Sequence, residues 1–303
     1  DGDVHNISFA DNVGGFNLSL AYKHADFNNF EIPDEAVIHK PGETGEEKDH
    51  LENSDAKTAA YKTGFSIVED WGYFGLSFKN IENVYGIPFH GEHHDDDDDG
   101  GGGDAHDAHG EERIQSTTDS DTINIKGSYK ISNNLINQVD YFYSDTDYTL
   151  QELHIGGEED GNFTDFLNDA QELGAILDIS NDALTQKVVI RSMEEDTSIL
   201  GGEAFMENVE SEETSFGYYL GKEFSTFDLD FGIRRDEVNR KSKVGSTSYD
   251  KDFDSTSYVL GFGFDLSSTT DLSLSIGSVE RAPSSVEMFM NGEHAAVQRN
   301  EKG

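Results

Sequence analysis

The sequence predicts an all-β protein, an antiparallel transmembrane β-barrel of about twelve strands with long acidic extracellular loops. Three observations carry that expectation. Apolar residues recur with period two, which puts successive side chains on opposite faces of a strand, and no long segment sustains a 3.6-residue period. Short turns alternate with long acidic loops, the asymmetry of a barrel set in a membrane. No stretch approaches the roughly 18 apolar residues that a helix needs to cross a bilayer, whereas about 9–11 residues suffice for a tilted strand.

Taken in order, a short strand is expected at 3–10. It is followed by one in which Phe16, Leu18, Leu20 and Tyr22 alternate with Asn17, Ser19, Ala21 and Lys23. Weaker alternation marks 58–67, 73–79, 123–131, 135–143, 171–179, 186–192 and 216–220. The pattern then sharpens: Phe227, Leu229, Phe231 and Ile233; Tyr258, Leu260, Phe262, Phe264 and Leu266; Leu272, Leu274 and Ile276. Apart from Val259, the intervening positions are Asp, Ser, Gly and Arg, as a wet lumen requires. Phe227, Phe231, Tyr258 and Phe262 are expected to face lipid. Short turns are expected at 12–15, 69–72, 132–134, 180–184, 225–226 and 267–270. Long loops are expected near 28–55, 80–117, 150–170, 195–214, 235–253 and from 281 onward.

Composition narrows the function. The 303 residues hold 62 Asp and Glu against 21 Lys and Arg, a formal charge of −41. Nucleic-acid binding draws on counterions released by basic groups, so no nucleic-acid partner is expected. With no cysteine, disulfide scaffolds and thiolate zinc folds are excluded. A soluble β-sandwich or solenoid also alternates, but its connections are of similar length at both ends, and no repeat of 20–50 residues is present. No Gly-x-Ser-x-Gly, phosphate-binding glycine loop or His-Glu-x-x-His occurs, so no enzymatic activity is expected.

The chemistry gathers in the loops. Segment 85–112 carries five of the eleven histidines, His90, His93, His94, His106 and His109, with ten carboxylates and no Lys or Arg. Imidazole and carboxylate are the usual Zn²⁺ ligands where thiolates are absent, and the Gly100–Gly103 run lets the two histidine groups approach each other. Dense negative charge also raises the local cation concentration. A solvated spacer loop and a pH-dependent switch are the alternative readings. Segment 28–55 repeats the theme with His39 and His50 among nine acidic residues. Glu152 and His154 are two apart on an expected strand end and so share a face.

Four stretches resemble the TonB-dependent outer-membrane receptors, in order along the chain. They are Phe27–Pro33, Val84–Pro88 leading into the histidine-rich loop, Gly201–Phe205, and Ser278–Gln298 with its Arg281-Ala282-Pro283-Ser284 strand end. Asn291-Gly292-Glu293-His294-Ala295-Ala296 is similar to the zinc-uptake, ZnuD-type branch. The resemblance implies a 22-stranded barrel in the outer membrane of a Gram-negative bacterium, filled by an N-terminal plug and energised through TonB. On that plan residues 1–303 are a central barrel fragment lacking signal peptide, TonB box, plug and last strands. Outer-membrane lipid and the TonB complex are the implied partners, and Zn²⁺ is the expected cargo rather than a cofactor. His294 matches the branch motif and is the expected barrel-side metal ligand, with Glu152 supplying a carboxylate from another strand end. The rivals are a receptor for a siderophore, haem or another metal complex, and a passive porin or adhesin.

Overall fold

The computed structural model describes residues 1–33, 49–88, 113–131, 135–156, 160–202, 206–294 and 299–302. Its strands are β1 (Gly2–Val13), β2 (Phe16–Phe27), β3 (Phe30–Glu31), β4 (His50–Leu51), β5 (Ala56–Glu69), β6 (Gly72–Ile87), β7 (Arg113–Lys130) and β8 (Gln138–Ile155). They continue as β9 (Phe163–Asp178), β10 (Thr185–Gly201), β11 (Met206–Glu223), β12 (Asp228–Val244), β13 (Thr247–Ser267) and β14 (Thr270–Ser278). A single turn of helix, α1 (Ser285–Phe289), then precedes the small hairpin β15 (Asn291–His294) and β16 (Arg299–Lys302). No helix among the described residues is long and apolar enough to cross a membrane.

One antiparallel sheet of 12 strands runs β1-β2-β5-β6-β7-β8-β9-β10-β11-β12-β13-β14; consecutive strands pair throughout except that β3 and β4, which pair with each other, lie in the connection from β2 to β5. The expected meander is therefore the observed one. Residues directly opposite in an antiparallel ladder share a face, so the register sorts the side chains. One row reads Phe74, Gly127, Tyr141, Ala175, Ile190 and Phe216. Leu220, Phe231, Leu260 and Ile276 form another on the same face. This apolar face is exposed: Ile190 is 49%, Tyr258 52% and Ile276 72% accessible, which in water would be an aggregation surface and in lipid is the favourable arrangement. Phe231, Tyr258 and Phe262 belong to it, and Phe227 stands on the same face just before β12.

Aromatic rings collect where that band ends near the short turns. Trp71 and Tyr129 lie 5.9 Å apart, and Phe224 stacks on Phe227 at 4.5 Å, with Phe264 beyond. Rings of this kind suit the boundary between hydrocarbon and headgroups.

The opposite ends differ from expectation. The long loops expected at 150–170, 195–214 and 235–253 are mostly strand: the gaps between strands are 156–162, 202–205 and 245–246. β13 alone has 21 residues, about 70 Å of strand at roughly 3.3 Å per residue. A hydrocarbon core about 30 Å thick takes up only part of that length, so the hairpin stands well clear of lipid. Ladder hydrogen bonds need no apolar side chain, so the extension in Asp, Glu, Ser and Thr carries no hydropathy signal.

Candidate functional site at the lumen face

The face opposite the apolar band is polar and holds two different walls. Across β9–β12 it carries a closed charge network. Arg191 pairs with Glu172 and, at 2.6 Å, with Glu213. Arg234 reaches the same Glu213 at 3.1 Å and Asp236 at 2.6 Å. Opposite signs meet on adjacent strands, two guanidinium groups against three carboxylates, so the pairs are satisfied and the network keeps one net negative charge.

Above that network α1 folds back onto the same face. Ser284 caps the helix in a capping box with Glu287, which also accepts two hydrogen bonds from Arg281 at 2.6 and 2.7 Å. The Arg281 guanidinium and the Ser284 amide hold the Glu287 carboxyl down at about 2. Phe289 is buried against Ile199, Met206 and Val209, with its ring 5.9 Å from Tyr249. Arg240, 9% accessible, donates to Pro283 O at 2.9 Å and to Ser211 Oγ at 2.6 Å. The start of α1 is marked in the sequence by the capping-box spacing Ser284-x-x-Glu287.

The other wall leads up to the two histidine-bearing segments. Asn53, with φ 55°, inserts its side-chain amide between two strand ends and donates to Ile87 O at 2.6 Å and Ile114 O at 3.0 Å. A side chain at Gly86 would collide with Asn53, so glycine is what lets the insertion occur. Beside it Arg113 pairs with Asp55 at 2.9 Å. The described ends that flank segments 34–48 and 89–112 are therefore tied to one another. Next to these ends a concavity of ≈ 970 Å³ is lined by Asp1, Asp3, Asp26, Glu31, Asp49, His50 and Asp55 together with the ion-paired Lys57 and Arg113. Asp3, Asp26 and Lys57 share the face of Phe16 and Ile67, so the concavity opens on the outward side of the sheet rather than into the lumen. His50 hydrogen-bonds Asp49 at 2.7 Å and draws the Asp49 carboxyl below its usual range.

The expected metal ligands fall as follows. His90, His93, His94, His106 and His109 lie outside the described residues, as does His39. Glu152 and His154 share the lumen face near the end of β8, as their spacing required, with Glu152 opposite Ser116 and Thr164 and His154 buried opposite Ile114. His294 ends β15, its backbone paired with Arg299, on a hairpin that α1 ties to β11 and β12 rather than to β8. Among the described residues no three His, Asp or Glu side chains converge as a chelating group. What the described acidic surface supplies is a field, not a cage.

Residues 40–303 match the family model for the TonB-dependent receptor-like β-barrel. No curated protein matches the sequence. The copper transporter OprC superposes with a TM-score of 0.70 at 11% identity, covering 96% of this chain and 44% of that one. The FrpB iron transporter from Neisseria meningitidis, apoprotein form of the F5-1 variant, gives 0.69 at 11% identity, with 93% and 44% covered. The alcaligin receptor FauA from Bordetella pertussis gives 0.62 at 12%, with 91% and 41% covered. The chain thus spans less than half the length of these solved relatives, and at such identities the likeness establishes the fold alone. With the family model spanning most of the chain and the apolar face turned outwards, the protein belongs to the TonB-dependent receptors and contributes β-barrel strands to the outer membrane of a Gram-negative bacterium.

Proposed function

We propose that the receptor imports a metal ion, with Zn²⁺ as the cargo, driven through the TonB complex. One observation carries this reading. The described strand ends that flank the histidine-bearing segments 34–48 and 89–112 are clamped together by Asn53 and by the Arg113–Asp55 pair, beside an open acidic concavity. Acidic walls enrich a dilute dication, and neutral imidazoles then offer nitrogen ligands to it. In this reading His90, His93, His94, His106 and His109 capture the ion, and Glu152 and His294 hold it lower in the barrel. No enzymatic step is part of the scheme.

The solved relatives include an iron transporter, a copper transporter and a siderophore receptor, so the cargo test is comparative. Uptake of radioactive zinc by cells expressing the complete receptor is measured against a variant with the five loop histidines changed to Ser, and against His294→Ala and Glu152→Ala. Each should lower zinc uptake at limiting concentration with receptor level unchanged. Uptake equal to the parent in all three variants, or faster uptake of iron or copper than of zinc by the parent, would overturn the zinc assignment.

A further inference from the structure

On the outward face of the first hairpin the apolar band ends in a pair of histidines. Phe9 and Ile7 of β1 face Leu20 and Tyr22 of β2, and the next outward pair towards the long connection is His5 opposite His24. Tyr22 and Tyr61, with ring centroids 5.0 Å apart, lie one step nearer the lipid. The two imidazoles therefore stand at the outer boundary of the hydrocarbon. Neither makes a hydrogen bond or ion pair with a described residue.

Residues directly opposite in an antiparallel ladder hold their Cβ atoms about 4.5–5.5 Å apart, so two imidazoles there can offer one nitrogen each to a single ion. The ladder is unbroken from Gly2–Phe27 to Val13–Phe16, which fixes the direction of both side chains. Sites built on strands are held more precisely than sites on loops. On its other side His24 faces Ala59, whose methyl group leaves the flank of the ring open. One position further out Asp3 opposes Asp26. Asp26 is engaged by Lys57 at 3.3 Å, whereas Asp3 has no partner among the described residues. Both carboxylates line the acidic concavity, which enriches cations beside the histidines.

No third His, Asp or Glu among the described residues converges with the two rings, so water completes the shell of an ion held by them. Imidazole without thiolate suits Cu²⁺, Ni²⁺ and Zn²⁺ rather than Mg²⁺ or Ca²⁺, and Cu²⁺ binds most tightly of the series.

We infer that His5 and His24 form a two-nitrogen site for a late first-row dication on the outer rim of the barrel, where the ion ties β1 to β2. The site faces away from the lumen, so an ion held there is a link between strands and not cargo. The inference rests on ladder register and is independent of which ion the receptor imports.

The test titrates Cu²⁺ into the complete receptor in detergent, with the five loop histidines changed to Ser to clear the background. The electron paramagnetic resonance spectrum is read as the difference between this protein and its H5A/H24A derivative. One ion with two equatorial imidazole nitrogens is expected in the difference. H5A and H24A alone should each weaken that site by roughly tenfold or more, because two linked ligands bind far more tightly than either one. Ala59 flanks His24 on the side away from His5, so H5A/A59H should recover the site. Zn²⁺ should slow amide exchange in β1 and β2 of the parent and leave it unchanged in H5A. If an alanine variant fails to assemble, H5N or H24N takes its place in the same assays. Single substitutions that weaken binding by about twofold or less would mean two independent imidazoles and would overturn the inference. So would a difference spectrum with no bound Cu²⁺, or binding by H5A/A59H no tighter than by H5A.

Discussion

The guanidinium of Arg240 in β12 donates to Ser285 Oγ at 3.2 Å, fastening the first turn of α1 to the barrel wall. The same group reaches Pro283 and Ser211, so one buried side chain holds the segment that leads into β15. Because α1 has only five residues, far too few for a helix to persist alone, its conformation depends on this anchoring.

Arg240→Ala should therefore release α1 without unfolding the sheet. Hydrogen bonds from a charged group contribute about 1.5–3 kcal/mol each, so opening of the segment should rise by roughly tenfold or more. Cleavage after Glu287 by a glutamate-specific protease checks this. Unchanged cleavage would mean that Phe289 packing alone holds the helix.

The Glu287 clamp should be sensitive to acid only at very low pH. The Arg281 pairing lowers its carboxyl from the usual 4.5 to about 2, so its contribution is fully present above about pH 4.5 and is lost as pH falls through about 2. A spin label at Val286 should stay immobile to about pH 3 in the parent. In Arg281→Gln the release should move up towards the ordinary glutamate range. Release at the same pH in both proteins would remove the clamp from the account.

Asn53→Ala should loosen the tied strand ends that flank segments 34–48 and 89–112. It deletes both donors to Ile87 and Ile114 and leaves two carbonyls to find other partners, a cost of about 1–3 kcal/mol. Faster amide exchange at Gly86 and Ile114, with exchange in β11–β13 unchanged, is the expected pattern. Exchange unaltered at both sites would show that the Arg113–Asp55 pair holds those ends by itself.

Above the apolar band the outward face carries a transverse row of carboxylates on adjacent strands, Asp121, Asp147, Asp169, Asp196 and Glu210. Like charges directly opposite are unfavourable by about 0.2–1 kcal/mol. Asp169→Asn should accordingly raise thermal stability of the receptor at low ionic strength. The gain should fade in molar salt, where screening acts within about 3 Å. A gain independent of salt would point to a cause other than repulsion.

The meander itself was legible from residues such as Phe227 to Ile233 and Tyr258 to Leu266, because alternation that fills a lipid-facing surface must be written in apolar side chains. The polar halves of β8, β10 and β12 were not, since a strand beyond the membrane is held by backbone hydrogen bonds that many polar sequences satisfy equally well. Glu152 and His154 on one face followed from a period of two. Arg240, Asn53 and Gly86 gave no such notice: each matters only through a partner 29 to 61 residues away, from Arg240 with Ser211 to Asn53 with Ile114.

From sequence alone came the strand order, the side turned to lipid and the receptor family, all of which depend on local pattern and motif. Only the tertiary structure decided that the acidic excess is unevenly placed. Register across β1, β2, β5, β6 and β7 brings lysines without carboxylates to one lumen wall, while β9–β12 pair their own charges. Charge along a chain fixes a total; which charges meet is set by ladder register, because opposition across strands joins residues that the sequence keeps far apart.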